Sequence, residues 1–246
     1  MDGFSYSNIF DTKGIEYLAI IAFLLLLIPF WMVLNNQVVI KNRIRQAMGF
    51  LSSGILTIPQ GIFHSRNHTW AFLEKSGAAR VGLDELLLFI TGEVKVQPLK
   101  HQGEMIARGE ILARIDQNGK SLNIFSPVSG EIIDPNPAVL INPALLKKDP
   151  YGKGWLYTIR PTNWTDEIQP CYLAADATAW LKNELERYKD FIAVNMSMQS
   201  TQPALTILQD GGEIAGDSLS GLPAEFWQEF QQEFLNPQAE RENNRL

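Results

Sequence analysis

The chain has 246 residues, 46% hydrophobic and 20% charged, with a formal net charge of −6. That length suits one membrane segment plus one or two small domains. The acidic balance, with no long basic run, argues against nucleic-acid binding. The single cysteine, Cys171, excludes an intrachain disulfide and fits a reducing compartment.

Residues 1–16 read as a short extracytoplasmic segment. From Tyr17 to Leu34 runs YLAIIAFLLLLIPFWMVL, without a charge. Such a run approaches the ~20 residues that span a bilayer as a helix. Pro29 inside it is tolerated in membrane helices, and Tyr17 and Trp31 suit the two interfaces. A cleaved signal peptide needs a basic start, whereas Asp2, Asp11, Lys13 and Glu16 precede this run. The reading is a single transmembrane helix over 17–36. Lys41, Arg43 and Arg45 follow it and only Lys13 precedes it, so the N-terminus faces outward and the rest is cytoplasmic. The implied location is the inner (cytoplasmic) membrane, with lipid as one partner.

Residues 37–61 read as a juxtamembrane amphipathic helix or linker. Ile40, Ile44, Met48, Leu51 and Ile55 recur at helical spacing, and Pro59 and Gly61 end the segment. Over 62–170, short apolar runs alternate with Gly and Pro turns, which predicts short strands in a sandwich or barrel. One or two helical turns are expected at Leu83 to Phe89. Gly92-Glu93-Val94 and Gly130-Glu131-Ile132 open two comparable runs, read as two strand-turn-strand units. Between them, Asn118-Gly119 separates ILARID from KSLNIF and predicts a tight hairpin, since both residues accept φ > 0. Lys120 is then expected at the tip, projecting into solvent.

Residues 171–246 read as a C-terminal α+β extension. Ala177, Leu181, Leu185, Tyr188 and Ile192 form one helical stripe. Ser197 to Pro203 reads as a connector, and ALTILQDGGEIAG as a hairpin about Asp210-Gly211-Gly212. Phe226, Phe230 and Phe234 form an aromatic stripe expected to be buried. Whether the extension stands alone or wraps back over the sandwich is open at this level.

The motifs of the middle segment resemble one family. His68-Thr69-Trp70, Arg80-Val81-Gly82, SPVSGEI over Ser126 to Ile132, Asn142-Pro143, Asp149-Pro150-Tyr151-Gly152 and Gly154-Trp155 occur in order over about 100 residues. Together they are similar to the H protein of the glycine cleavage system, a relative of lipoyl and biotinyl carrier domains. The resemblance implies a barrel-sandwich hybrid of two small antiparallel sheets. It also implies a lipoylated lysine seven residues before the serine of Ser-Pro-Val-Ser-Gly. Counting back from Ser126 reaches Gly119; Lys120 stands one place later, and an acid three before the family position is kept as Asp116. A one-place shift in a tight turn redirects the amine that a lipoylating enzyme must reach.

Other chemistry finds little footing. His64 and His68 have the spacing of metal ligands on a helix, but this segment reads as a strand entry with no third ligand nearby, so no metal site is expected. His101 is expected in a solvated loop. Asp116, Glu131 and Asp134 could gather near the hairpin, yet acid-base work needs a pocket and shifted pKa values. Ser126 and Ser129 belong to a turn and lack a base. Gly211-Gly212 is a turn and not a phosphate loop. The expectation is a non-catalytic subunit without cofactor that scaffolds a bacterial membrane complex through other subunits. The alternative is a lipoyl carrier on Lys120 serving membrane-associated enzymes.

Overall fold

The computed structural model describes residues 17–18, 20–28, 50–51, 58–199, 208–209 and 213–236. The chain divides into two units, Met1–Gly49 and Phe50–Leu246. In the first, Tyr17, Leu18 and Ile20 to Ile28 are helical, and their large apolar side chains are exposed, from 40% at Leu27 to 68% at Leu26. No helix among the described residues is long and apolar enough to cross a membrane. The described residues therefore do not support the expected span over 17–36; Ala19 and 29–36 lie outside them.

The second unit carries β1 (Phe50–Leu51), β2 (Phe63–His64), β3 (Thr69–Leu73), β4 (Ala79–Leu83) and then helix α1 (Glu85–Thr91). β5 (Lys95–Pro98), β6 (Met105–Ile106), β7 (Ile111–Gln117), β8 (Lys120–Phe125) and β9 (Gly130–Pro135) follow, before α2 (Pro137–Ile141) and α3 (Ala144–Lys148). β10 (Trp155–Pro161), α4 (Trp164–Ile168), β11 (Tyr172–Leu173) and the long α5 (Ala174–Gln199) lead to the hairpin of β12 (Leu208–Gln209) and β13 (Glu213–Ala215). Helix α6 (Ala224–Phe230) runs into a π-helical turn, Gln231–Leu235.

Among the described residues the strands make three sheets: β11-β2-β3-β4-β10-β9-β6, β5-β7-β8 and β1-β13-β12. Every described strand pair is antiparallel. The expected barrel-sandwich arrangement forms from the first two. Alternation drives it: Ala113, Ile115, Leu122 and Ile124 on one sheet and Val81, Leu83, Ile132 and Ile159 on the other are buried in a single cluster.

Helix α1 starts where Asp84 caps it, its Oδ1 accepting from the Leu87 amide at 2.8 Å. That places it two residues later than the turns expected at Leu83 to Phe89. The run after Gly130 is corrected more strongly. Its first part is strand β9, but beyond Pro135 it is helical rather than a second strand. Asn136 Oδ1 accepts from the Ala138 amide at 3.0 Å and Pro137 occupies the first turn, so Asn-Pro here starts a helix.

Phe50–Leu51, inside the segment read as a helix or linker, is a strand paired with β13. The rest of the helical stripe over Ile40 to Ile55 lies outside the described residues. The hairpin expected over ALTILQDGGEIAG is present as β12-β13, with Leu208 opposite Ile214. Its turn, 210–212, lies outside the described residues. In α5 the stripe Ala177, Leu181, Leu185, Tyr188 and Ile192 is buried. The helix continues to Gln199, three residues into the expected connector.

Candidate functional site

The hairpin β7-β8 is a two-residue connection, with Gln117 paired to Lys120. Asn118 has φ 51° and Gly119 φ 80°, the left-handed pair that a primed turn demands. At Gly119 an added Cβ would meet nothing within 4 Å, although the backbone itself favours glycine. The position that the resemblance assigns to a carrier lysine is thus an open tip without a side chain.

Lys120 does not project into solvent as the sequence suggests. It is half-buried, and its Nζ donates to the carbonyl oxygens of Ser220 and of Leu222, the latter at 2.9 Å. The same ammonium lies 5.3 Å from the centroid of the Trp227 ring, an attractive cation–π distance. The loop that supplies these carbonyls is itself fixed. Asp217 N and Leu219 N donate to Phe89 O and Ile90 O at 2.8 and 2.9 Å, and the Trp227 indole donates to Leu219 O at 2.9 Å.

The extension also covers the free edge of β8. Gln231 Oε1 accepts from Asn123 N at 2.6 Å, and Gln231 Nε2 donates to Asn123 O at 3.3 Å. One side-chain amide thereby fills the place of a neighbouring strand. Phe230 and Phe234 stack at 4.7 Å and meet Tyr188 and Phe191 edge-on. The aromatic stripe is core, as expected.

A second cluster lies beneath the extension. His68 is buried with φ 56°. Its Nδ1 is 2.7 Å from Asp84 Oδ2, and its Nε2 faces Glu184 Oε2 at 3.7 Å. The ring lies between Trp180, at 5.1 Å, and Phe234, at 6.4 Å. Burial alone lowers an imidazole's pKa, but here the Asp84 and Glu184 carboxylates win and lift His68 to about 9. The same attraction holds Asp84 and Glu184 down against the upward push of burial. His64, with both ring nitrogens lacking a hydrogen-bond partner, is driven down to about 4 by burial; Asp84 offsets part of this and His68 adds to it. Burial, then the Asp84 charge, raises Glu85 to about 7.

Arg187 extends this network into the C-terminal turn. It pairs with Glu184 at 2.9 Å, donates to Glu233 O at 2.7 Å and covers the Phe234 ring at 4.2 Å. A cleft of about 560 Å³ opens beside it, lined among others by Arg66, Tyr172, Trp180, Glu184, Arg187 and Phe234.

The remaining candidates are placed apart. Asp116 lies in the β5-β7-β8 sheet, whereas Glu131 and Asp134 lie in the seven-stranded one, and Glu131 pairs with Arg160 at 2.7 Å. Ser126 donates to Val128 O at 2.7 Å. Ser129 accepts from Arg108 N at 2.8 Å and donates to Glu167. Both serines are turn residues. His101 is exposed. No group of three or more His, Cys, Asp or Glu among the described residues is placed to hold a metal ion.

The motifs that carried the resemblance now have physical reasons. Trp70 donates to Leu83 O at 2.8 Å, and a Cβ on Gly82 would stand 2.4 Å from its ring. A family model described as Glycine cleavage H-protein matches residues 62–184, half of the chain. This chain belongs to the glycine cleavage H-protein family. The glycine cleavage system H protein of Bacteroides fragilis is 33% identical over 111 residues, covering 45% of this chain and 87% of that protein. The H protein of Thermus thermophilus is 31% identical, covering 45% and 86%. A crystal structure of the H protein from Mycobacterium marinum aligns with 27% identity and a TM-score of 0.44, over 51% of this chain and 99% of that one. The H-protein match ends at Glu184, so the residues that pin Lys120 and cap β8 all lie beyond it. Sequence reading missed Asp84, Glu184 and Arg187 as a set. The only local signal was the acid two places after Gly82.

Proposed function

We propose that this chain is a non-catalytic H-protein-like module that binds other proteins of an assembly and carries no lipoyl arm. The observation that carries this reading is the state of the hairpin amine. A carrier lysine must offer its Nζ to a modifying enzyme and then swing between partners. Here the carrier position is Gly119, and the neighbouring amine is engaged by Ser220, Leu222 and Trp227. Each charge-assisted hydrogen bond of this kind contributes roughly 1.5–3 kcal/mol, and the cation–π contact about 1 kcal/mol more. Fold alone does not confer the carrier role.

The assembly we have in mind is membrane-associated, on the cytoplasmic side of a bacterial inner membrane. Support comes from the uncharged run over Tyr17 to Leu34 and the basic residues Lys41, Arg43 and Arg45 behind it. The described helical residues of that run expose apolar side chains on all sides, a surface that suits lipid better than water.

The test is the intact mass of the chain purified in mild detergent from its native membrane fraction. The bare polypeptide, allowing for loss of Met1, together with co-purifying subunits, is the expected result. A mass higher by one lipoyl group, or a chain that comes free of both membrane and partners, defeats the reading. A second reading, a lipoyl carrier on Lys120, is favoured by the H-protein relatives and by Asp116, three before the family position. It requires that Lys120→Ala abolish the activity of the host assembly.

A further inference from the structure

We infer that Asp217–Leu235 is an autoinhibitory latch on the hairpin amine, so that acylation of Lys120 and docking of this segment exclude each other. The inference rests on the reading of Lys120 given above and adds a regulated state to it.

The argument is one of donors and space. A lysine ammonium offers three N–H donors and a charge. Two donors end on Ser220 O and Leu222 O, and the charge faces the Trp227 ring. Acylation requires loss of a proton, then attack by the nitrogen lone pair on an activated acyl group. A C–N amide bond forms, the acyl–oxygen or acyl–sulfur bond of the donor breaks, and the leaving group departs with that electron pair. The product keeps one N–H and no charge. One of the two carbonyls must then lose its partner, and the cation–π attraction vanishes. Leu222 and Trp227, which the amine meets on one side, are 8% and 1% exposed and wall that side. The carbonyls cannot follow the amine outward, because Asp217 N and Leu219 N tie their loop to Phe89 and Ile90 of α1. The segment must therefore lift before the amine can react, and cannot settle back afterwards.

The edge of β8 shares this state. Asn123 meets Gln231 through both backbone groups, so lifting the segment uncovers a strand edge beside the freed amine. A partner that pairs with this edge or acylates this lysine favours the same open form.

The experiment is graded acetylation of the full chain with N-hydroxysuccinimidyl acetate, read lysine by lysine by peptide mass mapping. Lys75 and Lys95, both exposed, serve as references. Lys120 is expected to react about tenfold or more slowly than either, since only the opened fraction reacts. Gln231→Ala removes the edge contact and leaves the aromatic cluster intact, so it should raise the Lys120 rate alone. In Gly119→Lys, the new amine at the open tip should react at the reference rate. In the acylation mimic Lys120→Gln, hydrogen exchange over residues 219–235 should accelerate. Reaction of Lys120 at the reference rate, or slow reaction indifferent to Gln231→Ala, overturns the latch. So does unchanged exchange in Lys120→Gln. A native lipoyl mass would defeat the non-carrier reading without touching the latch; a fast Lys120 would defeat the latch whatever the native mass.

Discussion

His68 shows how one residue holds separate parts of the unit together. Its imidazole joins the cap of α1, through Asp84, to Glu184 of α5 and to Phe234 of the C-terminal turn. Its pKa lies near 9 when folded and at 6.5 otherwise. A raised folded value stabilises fully below the unfolded value, and the gain fades as pH rises through the folded one. The loss should amount to about 2–3 kcal/mol between pH 7 and 9.5. Glu85, near 7, and His64, near 4, titrate outside most of that window. Urea midpoints at the two pH values should therefore differ for the natural chain and nearly coincide for His68→Gln. The letters of the His-x-Trp motif were legible in sequence. The charge state of its histidine was not, because Asp84 and Glu184 reach it from later elements.

Among the elements, the tight hairpin was readable because Asn-Gly states its dihedrals outright. The direction of Lys120 was not, because the groups that claim its amine lie about 100 residues downstream. The opposite error occurred after β9. There Asn136-Pro137 was a helix start, and an apolar run biased the reading toward strand. Asn136 also donates to Lys153 O at 2.9 Å and Trp155 O at 2.7 Å, tying α2 to the approach of β10. Asn136→Ala should cost about 2 kcal/mol, through the lost cap and the two carbonyls left without this donor. Equilibrium urea unfolding of the two chains measures it; a change within about 0.5 kcal/mol, as for an ordinary surface site, would contradict this role.

For the molecule as a whole, the sandwich and the extension share one buried cluster, from Ile132 and Leu122 to Tyr188, Phe230 and Leu235. The aromatic stripe foretold its own burial but not its counterpart, since periodicity gives a face and never names what covers it. Phe230 is fully buried, and Phe230→Ala should cost about 3–5 kcal/mol. Because the core is continuous, calorimetry should show Phe50–Leu246 melting as one transition moved to lower temperature. Two resolved transitions would mean that the extension folds as a separate domain.

The distance along the chain between the hairpin and its latch has a consequence in time. Lys120 and Leu222 are 102 positions apart. At ~5–20 residues per second, a ribosome takes roughly 5–20 s to make that interval. For that period the nascent hairpin amine has nothing to hold it, because the carbonyls it will meet have not been made. An acyl-transferring enzyme that works during synthesis meets a different Lys120 from one that arrives after release.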